Sequence, residues 1–261
     1  MKLSFIKISI YLNIVLLFAV LLLIYKMGLL DGVISSIRPL LELSEKRDRT
    51  PSSKSPTDNL PSDSGWQNQV KSQAKSIQGK KYRSCLFGDS ISVGLHNTIE
   101  PRTFNFAING MSTVSLIEQL KILTAANLKC SQVIVAIGTN DAWYNISDEL
   151  FIKNLKRTID ICRQTGAKPI VFIPAFYATV AASHNPSMAG TNERIDQLNA
   201  LIGKVAATEQ VLVATDSTKQ LFNNHALKEN LTVDGVHLND DGLTLYRLAL
   251  LRIINPSCHL L

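Results

Sequence analysis

The stretch SQVIVAIGTND, residues 131–141, decides the fold. It opens with an almost unbroken apolar run, Val133 to Ile137, closed by Gly138. A strand with one wet face alternates apolar and polar residues, whereas a continuous run reads as a strand covered on both faces. Strands of that kind belong to parallel sheets held between layers of helix. The polar GTND that follows then leaves the carboxyl end of a buried strand, where open parallel sheets place their ligand sites.

The same texture extends in both directions. YRSCLFG (82–88), FNFAI (104–108), PIVFIPA (169–175) and QVLVATD (210–216) read as four further strands. Amphipathic segments lie between them. Val114, Ile117, Leu120 and Leu123 make one stripe, and Phe151, Leu155, Ile159 and Cys162 a second. Ile195, Leu198, Leu201 or Ile202, and Val205 make a third. Ser147 stands as N-cap with Asp148 and Glu149 in the first turn, Gly166 ends that helix, and Asn239 caps the last one. Alternation of buried strands with helices predicts an α/β domain over residues 82–261.

The net charge of +6 suggests nucleic acid until it is located. Residues 1–41 carry +3 and residues 42–81 another +3, while residues 82–261 are neutral. A neutral body lacks the basic footprint that phosphate backbones require, so nucleic acid is set aside as a partner. Ile8 to Tyr25 is uncharged and flanked by Lys7 and Lys26. Eighteen helical residues span about 27 Å, close to the hydrocarbon thickness of a bilayer. The run is longer than the apolar part of a cleaved signal, and no small-residue cleavage site follows it. Residues 1–43 are therefore expected to be a membrane anchor, with a transmembrane helix over about 8–25 and the body on the extracytoplasmic side. Residues 44–81, rich in Ser, Pro, Asp, Lys and Gln, are expected to be a flexible linker, within which QNQVKSQAKSIQ reads as a short helix.

The four cysteines, Cys85, Cys130, Cys162 and Cys258, form no Cys-x-x-Cys pair. Cys85 and Cys162 read as small buried hydrophobes, and a Cys130–Cys258 disulfide stays open.

Four strand ends or following loops carry chemistry-bearing residues. They are Gly88-Asp89-Ser90, Asn109-Gly110, Gly138-Thr139-Asn140-Asp141, and VDGVHLND with Asp234 three residues before His237. Each alone is an ordinary turn. Together they supply the parts of acyl transfer on serine. Ser90 is a weak nucleophile that needs a base, His237, and the base needs a carboxylate, Asp234, to hold its tautomer. The backbone N–H groups of Ser90 and Gly110 and the Asn140 side chain are candidate oxyanion donors. Trp143 and Tyr144 directly follow GTND and are candidates to line the substrate cleft, as is the segment 177–190. His96, His184, His225 and His259 lie outside these blocks.

In order and spacing these blocks resemble those of the SGNH hydrolases, also called GDSL esterases or lipases, over about residues 82–255. Ile91 stands where the family often has Leu, and Ala107 where many members have Gly. The resemblance implies a flavodoxin-like three-layer sandwich with five parallel strands, no metal or other cofactor, and acyl-ester substrates. Anchored members often act on cell-envelope polysaccharides, which makes acylated glycans or lipids the expected class. Two alternatives stand beside hydrolysis: an O-acyltransferase that moves the acyl group to a glycan hydroxyl, and a non-catalytic anchored module. A flavodoxin-like nucleotide binder is set aside, since no glycine-rich phosphate loop is present.

Overall fold

The computed structural model describes residues 56–256. Five strands, β1 (Tyr82–Gly88), β2 (Thr103–Asn105), β3 (Cys130–Ala136), β4 (Ile170–Ile173) and β5 (Leu212–Val213), form one parallel sheet in the order β2-β1-β3-β4-β5. This is the flavodoxin-like order, in which the chain reverses direction across the sheet beside β1 and β3.

The sheet is covered on both faces because its strands send alternate apolar side chains to each. Phe87, Val133, Val135 and Phe172 pack against helices α1 (Ser64–Ser76), α3 (Thr113–Ala125), α5 (Asp148–Gln164) and α7 (Asn192–Glu209). Leu86, Ile134, Ala136 and Ile173 face the opposite way, onto α2 (Ser90–Val93) and α8 (Asp240–Ile254), where Ile91, Tyr246 and Leu250 are buried. Two short helices, α4 (Thr139–Trp143) and α6 (Val180–Ser183), and a small hairpin of β6 (Phe222–Asn223) with β7 (Ala226–Leu227) lie outside the main layers.

The predicted stripes are the buried faces of α5 and α7, with Ile202 rather than Leu201 on the inner side. Ser147 and Asn239 accept from Leu150 N and Gly242 N as N-caps. Three strands are clearly shorter than expected, among them β4, which covers Ile170–Ile173 of the expected 169–175. β2 ends at Asn105, although Phe106 N and Ile108 N still donate to Leu86 O and Gly88 O, so residues 106–108 keep running beside β1. β5 is an edge strand of two residues, Leu212 exposed and Val213 half-buried.

The expected linker over 44–81 is corrected over its second half. Residues 64–76 are helix α1, capped by Asp63, whose carboxylate accepts from Trp66 N at 2.8 Å. Trp66, Val70 and Ile77 are buried in the core, and the Gln73 and Gln119 amides both donate to Phe106 O. A narrow apolar stripe set in polar residues keeps a linker-like composition while burying three large side chains. The folded body therefore begins before Tyr82.

Cys85 in β1 and Cys130 at the head of β3 form a disulfide with a Cα–Cα distance of 6.0 Å, in place of a Cys130–Cys258 pairing. They are 45 residues apart in sequence but sit on neighbouring strands. Cys162 is buried as a free thiol, pushed up to about 12 by desolvation. The apolar run 8–25 lies outside the described residues. Among the described residues no helix is long and apolar enough to cross a membrane.

Candidate active site

The site forms at the carboxyl edge of the sheet, where β1 ends in Gly88 and the chain turns into α2. Asp89 is the extended N-cap of that short helix, its carboxylate accepting from Ile91 N at 3.0 Å, and Ser90 is the first helical residue. Ser90 Oγ lies 2.9 Å from His237 Nε2.

His237 comes from the loop 232–238. There Asp234 Oδ1 accepts from the backbone N–H groups of Val236 and His237, at 2.9 and 2.8 Å. Its other oxygen, Oδ2, lies 2.7 Å from His237 Nδ1. One carboxylate thus builds the turn and holds the imidazole. With Nδ1–H donating to Asp234, the lone pair of Nε2 is left to accept the Ser90 proton. Partial burial pushes Asp234 up, but the bonds from His237 and Val236 and the imidazole charge outweigh it, so its carboxyl sits below the usual range. Thr232 Oγ donates to His237 O, and Gly235 N donates to Thr232 Oγ. Gly235 has φ +91°, and its carbonyl accepts from Thr179 N at 2.8 Å. A β-carbon there would stand 2.8 Å from both Thr179 Oγ and Ala182 Cβ. The segment after β4 is therefore seated on the back of the histidine loop.

The loop 108–112 starts at the same strand end, where Ile108 N donates to Gly88 O at 3.1 Å. Gly110 has φ +74°, a backbone conformation that favours glycine. Its carbonyl accepts from Tyr144 Oη at 3.0 Å, and the next carbonyl, of Met111, accepts from Asn140 Nδ2 at 3.0 Å. The N–H groups of Ser90 and Gly110 donate to no backbone acceptor among the described residues. Asn140 retains a second amide hydrogen. The backbone N–H groups of Ser90 and Gly110 and one Asn140 amide hydrogen are thus left without a partner among these bonds.

Trp143 and Tyr144 have structural duties as well as position. Trp143 Nε1 donates to Pro186 O at 3.0 Å, tying α4 to the segment 177–190, and the two rings lie 5.3 Å apart. Desolvation, with the charges of Asp58 and Asp141, pushes the Tyr144 phenol up to about 12, so it stays a donor to Gly110 O. Asn105 anchors the turn after α2 by donating to Ser92 O and His96 O.

Sequence reasoning gave no role to three carboxyls around the site. Asp89 and Asp141 are fully buried, and desolvation raises each to about 7. Asp141 is bonded by Thr113 N and Thr113 Oγ, which joins GTND to the head of α3. Both stood inside quoted motifs, and that was their only signal. Asp58, the third, lies in the segment read as linker. Among the described residues no three His, Cys, Asp or Glu side chains gather into a metal-holding group.

A family model described as GDSL-like Lipase/Acylhydrolase family matches residues 86–245, a span that contains Ser90, Gly110, Asn140, Asp234 and His237. No curated protein matches the chain. Among solved structures, a GDSL-like lipase from Bacteroides thetaiotaomicron is 15% identical with a TM-score of 0.59, over 73% of this chain and 97% of that one. The lipase/acylhydrolase from Enterococcus faecalis is 21% identical with a TM-score of 0.53, over 67% of this chain and 96% of that one. At such identities the likeness is one of fold.

Proposed function

Because the chain belongs to the GDSL-like lipase/acylhydrolase family and is a serine hydrolase acting on esters, we propose that it cleaves acylated envelope glycans or lipids through an acyl-serine on Ser90. The observation that carries this reading is the unbroken relay from Ser90 Oγ to His237 Nε2 at 2.9 Å and from His237 Nδ1 to Asp234 Oδ2 at 2.7 Å.

In this mechanism Ser90 Oγ attacks the ester carbonyl while His237 takes its proton. The carbonyl oxygen, now negative, is received by Ser90 N–H, Gly110 N–H and the Asn140 amide. Collapse of the tetrahedral species expels the alcohol, which His237 protonates. His237 then takes a proton from water, and the hydroxide formed releases the acid and restores Ser90. Asp234 remains ionised throughout and stabilises the imidazolium. The side chains of His237 and Asp234 are 44% and 43% exposed, which suits a substrate presented from a bulky glycan or a lipid surface. The body is assigned to the extracytoplasmic side of a membrane. The uncharged run 8–25 supports the membrane span, and the Cys85–Cys130 disulfide supports the side, since such bonds persist in oxidising compartments.

The test is hydrolysis of nitrophenyl esters of graded chain length by the full chain in detergent, with and without acylated or acyl-free glycans. Ser90→Ala is expected to lower kcat by about 10³-fold or more. Activity indifferent to that substitution overturns the assignment, and acyl groups appearing on the glycan instead of free acid convert it to an O-acyltransferase.

A further inference from the structure

The N-terminal arm, residues 56–63, lies before the stretch that the family model covers, yet it reaches the catalytic edge of the sheet. Asp58 Oδ2 accepts from Ser112 Oγ at 2.5 Å, Ser115 Oγ at 2.7 Å and Ser115 N at 3.1 Å. Its other oxygen accepts from Leu60 N at 3.1 Å. The carboxylate thus sits on the first turn of α3, where unpaired N–H groups and the helix dipole favour negative charge.

Ser112 is two residues beyond Gly110. The loop 108–112 around them is held at other points as well. Ile108 N donates to Gly88 O at one end, and Tyr144 and Asn140 hold the carbonyls of Gly110 and Met111 in the middle. Asp58 closes the far end. Beside it, a β-carbon on Gly110 would stand 3.6 Å from Leu60 Cδ1, so the arm also covers the back of the glycine. The arm is itself fixed, through α1, by Trp66 and Val70 in the core.

From this geometry we infer that Asp58 is a positioning residue for the oxyanion hole: it acts through Ser112 and Ser115 to set the direction of the Gly110 N–H. The inference rests on the serine-esterase reading above. It makes the segment leading in from the N-terminus a working part of the site. An oxyanion donor is effective only when it is already aimed at the developing charge, so slack in this loop weakens the transition state more than the bound ester.

The test uses the full chain with Asp58→Ala, Asp58→Asn and, as a control on the arm, Asp63→Ala, which removes the α1 cap. Asp58→Ala is expected to lower kcat by about tenfold with KM within about twofold. Inactivation by a fluorophosphonate, whose adduct also places an oxygen in the hole, should slow in parallel. Hydrogen exchange of the peptide 108–116 should quicken. Asp58→Asn, which keeps an oxygen for the two serine hydroxyls, should recover most of the rate. Asp63→Ala should lower thermal stability and leave kcat alone. The inference is overturned if Asp58→Ala behaves like Asp63→Ala, losing stability with kcat and exchange unchanged. A wild-type chain that the probe does not label, with the exchange difference present, instead overturns the esterase reading and the catalytic half of the inference with it.

Discussion

The histidine loop and the loop that carries Gly110 are built by opposite means. The histidine loop is largely self-made: Asp234 and His237 are three residues apart, and the carboxylate that orients the ring also forms the turn. The loop that carries Gly110 is made by others. Tyr144 reaches Gly110 from 34 residues away, Asn140 reaches Met111 from 29, and Asp58 reaches Ser112 from 54. A self-made loop keeps its geometry as long as its own few residues persist. A loop held by three residues from two distant elements, α4 with its C-cap and the N-terminal arm, has its geometry only when the whole fold is in place. The His237–Asp234 pairing is therefore local, whereas the loop that carries Gly110 takes its geometry from the tertiary structure.

The largest effect should come from breaking the local half. Asp234→Asn offers Nδ1 a donor as readily as an acceptor and releases the tautomer, and kcat for a nitrophenyl ester is expected to fall by about 10⁴-fold. A loss of less than about tenfold would show that His237 is oriented by something else. Next comes the remote half. Asn140→Ala removes one oxyanion donor and also frees Met111 O, and is expected to lower kcat by about 10²-fold. If KM rises instead and kcat holds, Asn140 binds substrate and the division between the two loops fails.

The smallest effect concerns Asp89, which lies between the loops and takes part in neither. Burial raises its carboxyl to about 7 from an ordinary 3.8. The folded protein thus holds a proton there that the unfolded chain releases. The resulting stability is fully present below the ordinary carboxylate range and is lost as pH rises through about 7. Asp234 works in the opposite sense, its lowered pKa giving stability that is lost only as pH falls through it. In denaturant titrations, Asp89→Asn should flatten the decline of wild-type stability between the ordinary carboxylate range and neutrality, by up to about 1.4 kcal/mol per pH unit. An unchanged slope would assign the decline to Asp141, which burial raises in the same direction.

The division between the loops also explains what could be read in advance. β3 and the stripes of α5 and α7 were legible because burial on both faces leaves a continuous apolar run, and burial on one face a periodic one, in the residues themselves. Asp234 and His237 were legible because their spacing is itself the geometry. Helix α1 was legible as a short helix, but its place in the core was not, because Trp66, Val70 and Ile77 are sparse among polar residues and have meaning only against α3. The disulfide was not, because the sheet order, and not sequence distance, brings Cys85 to Cys130.

By itself, the amino-acid sequence determined the class of fold, the order of the motifs and the serine, histidine and aspartate that form the relay. Each of these is written in residues that are adjacent or periodic. Only the tertiary structure decided where the folded body begins, which cysteines pair and what holds Gly110 in place. Those depend on side chains that meet across the sheet edge from segments dozens of residues apart, such as the Asp58 carboxylate on the serines of α3.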